Sequence, residues 1–264
     1  MRKLFPTEFV FQAFSLLIAF IIVHAVYVAV IRPNADAFMA AEKAQIAADK
    51  DYIQQRSYYV VLRDYEQETC FVLMLWAMAI LGYKGTALRR QQRQFDRDFI
   101  GLPEGAVISA ESAANVSGRI RDMPTQLREH LLPRILLAAS ERFTTTRSVQ
   151  DASAVVRARC ESEGDRLESE LSIIRYIAWA IPAIGFIGTV RGIGDALAQA
   201  HRAVEGDISG VTDSLGVAFN STFIALVISI VLVFLVHHIQ QVQERLVLDA
   251  ERYCDNWLIS RLEG

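Results

Sequence analysis

Residues 181–197 read Ile-Pro-Ala-Ile-Gly-Phe-Ile-Gly-Thr-Val-Arg-Gly-Ile-Gly-Asp-Ala-Leu, a mostly apolar segment with glycines at a helical spacing. On a helix Gly185, Gly188 and Gly192 share one face, because they are three and four residues apart. The surrounding run 173–193 has the roughly 20 residues that a helix needs to cross a bilayer. Since small residues let membrane helices approach closely, the segment predicts a transmembrane helix with a small packing face.

A second face of small residues lies in the next apolar run, 215–236. Its members recur at spacings of three and four, with one serine alongside: Ser214, Ala218, Thr222, Ala225, Ser229 and Ser221. Close packing of two helices explains such faces, because small residues permit contact and hydroxyls bond across it. Thr189 and Thr222 also place a hydroxyl near the middle of each run, so a polar pathway is the alternative.

Two further runs complete a prediction of four transmembrane helices. Residues 9–31 are apolar and longer than the apolar core of a secretion signal, so we expect a retained span. Residues 69–88 reach spanning length with Lys84 near the interface; a buried helix of a soluble domain is the alternative there. The sequence thus predicts an all-α, polytopic membrane protein.

Basic residues predict the orientation, because lysine and arginine favour the cytoplasmic side. Arg2 and Lys3 precede the first run, and a basic cluster follows the second: Lys84, Arg89, Arg90, Arg93 and Arg97. Acidic residues dominate the segment 32–68. We therefore expect a bacterial inner-membrane protein with both termini in the cytoplasm.

This orientation assigns every segment of the chain. The predicted cytoplasmic parts are the N-terminus, a helical domain and an amphipathic helix: 1–8, 89–172 and 238–264. The predicted transmembrane helices are 9–31, 69–88, 173–195 and 215–237, and the outer parts are a helical segment, 32–68, and a loop, 196–214. Ser148, followed by Asp151, predicts a helix start, and the cytoplasmic helices are expected to form a bundle.

The apolar cores of the predicted spans contain no aspartate, glutamate or lysine. His24 lies in the middle of the first span, but a single histidine is more often an interfacial or packing residue than a proton relay. Because proton relays through membranes use buried carboxylates or histidines, a proton conductor with these spans would take its titrating group from a partner helix.

Residues 181–197 resemble the Ala-Pro-x-x-Gly-Leu-Leu-Gly-Thr-Val-Trp-Gly signature of the MotA/TolQ/ExbB proton-channel family. The matching positions, in order, are Pro182, Gly185, Gly188, Thr189, Val190 and Gly192. The segment Ala218-Phe-Asn-Ser-Thr-Phe-Ile-Ala-Leu226 is similar to the family's Ala-Leu-x-x-Thr-x-x-Gly-Leu motif in the following span. Two motifs on adjacent spans make the resemblance specific over residues 165–240.

The resemblance implies a subunit of a motor driven by the proton motive force, a stator. Family members form a ring, typically a homopentamer, around two single-span partners of the ExbD/TolR/MotB kind, each with a membrane aspartate. Thr189, Thr222 and Ser221 would then line the ion pathway, and Pro182 would kink the third span. Pro182 and five small residues would form the ring lumen and the helix packing: Gly185, Gly188, Gly192, Ala218 and Ala225. The ion implied is the proton, with sodium left open, and no other cofactor is expected.

Three positions depart from the family pattern. Arg191 replaces a frequent tryptophan, and Ala225 replaces the usual glycine; Asn220 is an extra polar group. Arg191 and Asp195 are four residues apart, which predicts an ion pair near the outer rim. The alternatives for Arg191 are a snorkelling arginine and a role in guiding cations or anchoring the partner.

Other classes of function find less support in the sequence. A non-conducting membrane scaffold or sensor is the main alternative, and it would leave Thr189 and Thr222 as packing groups. No phosphate loop, nucleophile triad or metal-ligand spacing is present, so we expect neither an enzyme nor a metal site. The net charge of −3 without a basic block gives no support for nucleic-acid binding. The three cysteines are far apart, and no disulfide is expected.

Overall fold

The computed structural model describes residues 7–48, 55, 57–103 and 105–263. Its secondary structure in these ranges is helical, apart from an isolated bridge between Ile108 and Leu262. Four helical stretches are long and apolar enough to cross a membrane: Glu8–Ile46, Tyr65–Gln92, Val149–Ala198 and Ser209–Arg261. The prediction of an all-helical membrane protein with four candidate spans is confirmed.

The helices follow one another with short connections. Their bounds are α1 (Thr7–Val26), a π-helical turn (Tyr27–Ile31), α2 (Arg32–Ala48), α3 (Tyr58–Val61), α4 (Tyr65–Gln92), α5 (Ala110–Arg121), α6 (Thr125–Arg128), α7 (Leu131–Thr146), α8 (Val149–Glu170), α9 (Ser172–Ala198), α10 (Ala200–Val204), α11 (Ser209–Trp257) and a 3₁₀ turn (Ile259–Arg261). The chain divides into two compact units, which we call the membrane unit (Met1–Leu81 and Ile173–Val236) and the second unit (Gly82–Ser172 and His237–Gly264).

The membrane unit exposes large apolar side chains on the outside of its helices. Phe14 of α1, Phe186 of α9 and Phe234 of α11 are each more than 60% exposed. Small residues lie buried between the helices instead, among them Ala19 and Ala77. Such an exposed apolar surface would cause aggregation in water, whereas lipid accommodates it.

The stretch predicted as the second outer segment contains more helix than expected. The predicted outer loop 196–214 is partly helical: α9 runs to Ala198, α10 forms a further turn, and α11 begins at Ser209. Residues 209–214 are mostly polar, and they form the start of α11 directly before the apolar run. Pro182 lies inside α9 without ending it, although proline removes one backbone hydrogen bond of a helix.

The second unit has an apolar core enclosed by several helices. Contacts of α7 with α5 and α8 build it, and its fully buried side chains include Phe143, Ile135 and Leu136. Leu246 of α11 packs in the same core. Ser148 caps α8 by accepting a hydrogen bond from the Asp151 amide at 3.2 Å, which confirms the predicted helix start.

Buried charges in the second unit are paired. Lys84 is 4% exposed, and its Nζ donates to Glu170 Oε2 at 2.9 Å. Glu163, also 4% exposed, accepts from Arg166 Nε at 3.0 Å and lies 3.6 Å from Arg134. Pairing offsets the desolvation of such groups, which is costly for a single buried charge.

The core position of Leu136 predicts a large loss of stability on truncation. We expect Leu136→Ala to lower the free energy of unfolding by about 2–5 kcal/mol, because it leaves a cavity in a closely packed core. Leu248→Ala is the matched control, since this leucine of the second unit is 49% exposed. Thermal unfolding of the detergent-solubilised protein measures both, and equal effects would contradict the assigned core.

Candidate functional site

Helices α9 and α11 approach each other through their small residues. A Cβ atom on Gly185 would lie 2.5 Å from Ala225 Cβ, and one on Gly192 would lie 2.7 Å from the Ser214 carbonyl oxygen. Neither position accepts a larger side chain without moving its neighbour. The glycine face predicted from the sequence is therefore the contact between these two helices.

This contact also locates the predicted lumen residues. Gly185, Gly188 and Gly192 are buried against α11 within the same chain. Ala218 and Ala225 lie opposite them, both fully buried. The five small residues thus pack α9 against α11 within one chain, and their predicted place in a ring lumen stays a prediction.

Two threonine hydroxyls meet within this contact. Thr189 Oγ1 lies 2.9 Å from the Ala218 carbonyl oxygen, and Thr222 Oγ1 lies 3.0 Å from the Gly185 carbonyl oxygen. The two hydroxyl oxygens also contact each other directly. The structure thus brings together the two threonines that the sequence singled out, with two backbone carbonyl groups beside them.

The hydroxyl pair has fewer protons than hydrogen-bonding contacts. Each threonine donates one proton and can accept others at its lone pairs. If Thr189 donates to Ala218 and Thr222 donates to Gly185, no proton remains for the contact between the hydroxyls. The pair can therefore rearrange its bonds by rotating the hydroxyl groups alone, and it can accept a hydrogen bond from an additional donor.

Serines continue the polar contacts along α11. Ser221 is 1% exposed and donates to the Val217 carbonyl of its own helix at 2.8 Å. It lies beside Gly188, whose added Cβ would come within 2.5 Å of the serine Cβ. Ser229 donates to the Ala178 carbonyl of α9 at 3.0 Å. Ser229 thus adds a link between the two helices beyond the glycine contact, whereas Ser221 bonds within α11.

Arg191 is bound chiefly to a residue that the sequence did not suggest. Its Nε and Nη2 atoms donate to the two carboxylate oxygens of Glu66 on α4, both at 2.8 Å. The predicted partner Asp195 is farther away, 3.8 Å from Nη1. A bidentate pair of this kind fixes both groups more strongly than a single contact does, so Arg191 joins α9 to α4.

Asp64 adds a second carboxylate next to this pair. It lies 4.0 Å from Arg191 and 3.7 Å from Arg63. Burial raises the pKa of the Asp64 carboxyl, and the two neighbouring arginines oppose that effect. At the beginning of α4, the carboxylates of Asp64 and Glu66 thus lie next to the guanidinium groups of Arg63 and Arg191.

Glu68, one helical turn away, forms the other ion cluster of the membrane unit. It is 6% exposed and lies 2.7 Å from His24 Nδ1, while Arg32 donates to its second oxygen. His24, expected to be an interfacial or packing residue, thus contacts a buried carboxylate that the sequence did not suggest. The two acidic residues directly before an apolar run were the available signal, but their partners are distant in sequence.

These features define a polytopic helical membrane protein in which the last two spans enclose a pair of hydroxyls. Comparison with known families makes the assignment more specific: residues 127–252 match the model of the MotA/TolQ/ExbB proton channel family. The predicted resemblance is confirmed, and this segment includes the whole α9–α11 contact. The family consists of proton channels and is not a class of enzymes. No curated protein and no solved structure matched the chain.

The glycine contact predicts that an added methyl group lowers stability at Gly192 but not at the nearby Gly194. Gly192→Ala should destabilise the protein by about 1–3 kcal/mol, because its Cβ would meet backbone atoms of α11. Gly194→Ala is the matched control two residues away, since an added Cβ there has no atom within 4 Å. Thermal unfolding in detergent compares the two variants, and a stable Gly192→Ala variant would contradict the contact.

Proposed function

We propose that this protein is the ring-forming subunit of a membrane motor driven by the proton motive force. In this proposal five copies surround two single-span partner chains in the bacterial inner membrane, with both termini in the cytoplasm. The family match across α9 and α11 supports the assignment. The single observation that carries it is the direct contact of Thr189 and Thr222 within that segment.

The hydroxyl pair suits the passage of a proton along a partner helix. It offers acceptor lone pairs to a protonated carboxylic acid, and it can rearrange its own bonds afterwards. A carboxylate normally carries a proton through a membrane protein, and neither α9 nor α11 has one between residues 173 and 194 or between residues 214 and 236. The partner's aspartate supplies that group in the proposed mechanism.

Rotation of the ring follows from the same arrangement. Protonation neutralises the aspartate, so that it can leave one hydroxyl pair and move through apolar surroundings to the next. Release of the proton restores the charge, which favours polar contacts again. The proton gradient thus biases the direction of stepping and converts ion flow into mechanical work.

Assembly gives the first test of this proposal. We expect the solubilised protein to have the mass of five copies, and of five copies plus two partner chains when a neighbouring single-span, aspartate-bearing protein is co-expressed. Native mass spectrometry distinguishes these species. A monomer or dimer that captures no partner would exclude the motor and favour a non-conducting scaffold.

The threonines give the second test. In liposomes containing the assembled complex, Thr189→Ala and Thr222→Ala should each lower proton flux about tenfold or more, since each removes a hydrogen bond to the conducted charge. Thr189→Ser keeps the hydroxyl and should retain most of the flux. Sodium-free and sodium-containing buffers separate a proton pathway from a sodium pathway.

Thr212→Ala is the matched control for the flux measurement. Its hydroxyl donates to the Ser209 carbonyl in the first turn of α11, away from the hydroxyl pair. The control should assemble and conduct as the wild type does. If the Thr189 and Thr222 variants also conduct normally while they assemble normally, these residues serve packing alone and the proposed pathway is wrong.

A further inference from the structure

A surface groove of the second unit brings together arginines from three different helices. Arg128 comes from α6, Arg134 from α7 and Arg159 from α8. The groove, which we call the arginine groove, has a volume of about 300 Å³. This volume lies at the lower end of the range in which proteins bind small molecules.

Helices α7 and α8 run antiparallel along the arginine groove. Arg142 near the end of α7 lies 3.3 Å from Asp151 near the start of α8, and Arg134 lies 3.6 Å from Glu163. Arg159 precedes Glu163 by one helical turn, so the two side chains share one face of α8. Arg159 is exposed, and it forms no ion pair or hydrogen bond with the described residues.

The carboxylate of Glu141 lines the groove but is already bound by an arginine outside it. Arg121 donates to Glu141 Oε1 from Nε at 3.1 Å and from Nη2 at 2.6 Å. Arg128 in turn donates to the backbone carbonyl of Arg121 at 3.0 Å. This last contact positions the Arg128 guanidinium without neutralising its charge.

Arg134 has to share its carboxylate with a second arginine. Glu163 accepts a hydrogen bond from Arg166 Nε at 3.0 Å, whereas Arg134 stays at the longer distance of 3.6 Å. Glu129 is the other carboxylate in the lining, and it is exposed. The three arginines of the groove therefore outnumber the carboxylates that can neutralise them, and the groove attracts anions.

We propose that the arginine groove binds the phosphate group of a small phosphate ester. A planar guanidinium can donate two parallel hydrogen bonds to a phosphate, and three guanidinium groups approach from three helices. A phosphate monoester has a charge of about −1.5 to −2 at neutral pH and three acceptor oxygens. A carboxylate has a single charge and two oxygens, so it matches this set of donors less well.

Two apolar residues between the arginines suit the organic part of the ester. Leu137 and Ala138 follow Arg134 by one turn of α7, and both belong to the lining. Binding would join α6, α7 and α8 through one ligand. The site belongs to the second unit, and neither the hydroxyl pair nor a partner chain takes part in it.

Calorimetric titration of the full-length protein in a nonionic, phosphate-free detergent tests the site. We expect AMP, used as the probe, to bind once per chain and adenosine not to bind, since it lacks the phosphate. Inorganic phosphate identifies the source: equal affinity for phosphate and AMP indicates free phosphate, whereas tighter binding of AMP indicates an ester. The absence of saturable binding by both AMP and phosphate, or equal binding of adenosine and AMP, would overturn the proposal.

Two arginine variants locate the bound phosphate. Arg159→Gln and Arg128→Gln should each lower the affinity for AMP about tenfold or more, because each removes a hydrogen bond between charged groups. Arg157→Gln is the matched control on α8: this arginine is exposed, lies outside the groove and has no partner among the described residues. It should leave the affinity unchanged.

The control separates a site from a general attraction between anions and a basic surface. Arg157→Gln and Arg159→Gln change the net charge of the protein equally, so equal effects on AMP affinity would refute the groove. If Arg128→Gln does not fold, the exposed Arg159 remains decisive, because its replacement breaks no contact among the described residues.

Glu129→Gln gives a test of opposite sign. It should raise the affinity for AMP several-fold, because it removes a negative charge from the groove. An unchanged or lower affinity in this variant would contradict binding beside Glu129. Since the measurements involve neither a partner chain nor ion flow, their failure leaves the proposed motor function standing.

Discussion

The close approach of α9 and α11 is the constraint on which the candidate site depends. Glycine at residues 185 and 192 removes the side chains that would hold the backbones apart, and the Ala225 methyl and Ser214 carbonyl occupy the space. Only at that separation can Thr189 and Thr222 each reach a carbonyl of the opposite helix. In lipid, where apolar surfaces gain little by association, such packing and hydrogen bonds are the forces that hold helices together. The same residues thus create the fold and place the hydroxyls.

Ion pairs fix α4 to the other membrane helices in a different way. Glu66 binds Arg191 of α9, and Glu68 binds His24 of α1 and Arg32 of α2. Each pair is directional, because a carboxylate and a guanidinium match in only a few geometries. Glycine contacts set how close two helices lie, whereas these pairs set how α4 is rotated and shifted along its neighbours. The π turn over Tyr27–Ile31 lies between His24 and Arg32, the two residues that contact Glu68. It therefore also affects how α4 is positioned.

The features that were predicted correctly depend on residues close together in the sequence. The four apolar runs, the glycine spacing in residues 181–197 and the Ser148 cap all depend on residues less than one span apart. The pairs of Glu66 with Arg191 and of Glu68 with His24 join residues that are 125 and 44 positions apart, and no local periodicity specifies them. A π turn over Tyr27–Ile31 has no residue signature either, because apolar residues fit both kinds of helix. The helical start of α11 at Ser209 was missed because polar residues at a predicted membrane surface are typical of a loop.

The buried acids also bear on which carboxylate can carry a proton. A proton carrier must lose and regain its charge during each cycle, and an arginine in hydrogen-bond contact favours the charged form. Glu66 is held by both donors of Arg191, and Glu68 is held by Arg32. Protonating either acid would remove the charge that its arginine contacts through hydrogen bonds, which opposes repeated turnover. The hydrogen-bond partners that the structure gives Thr189 and Thr222 are each other and backbone carbonyl groups, and none of these is a cation. A mobile aspartate on another chain could change its charge there freely, and that physical difference favours a partner-borne proton carrier over the glutamates of α4.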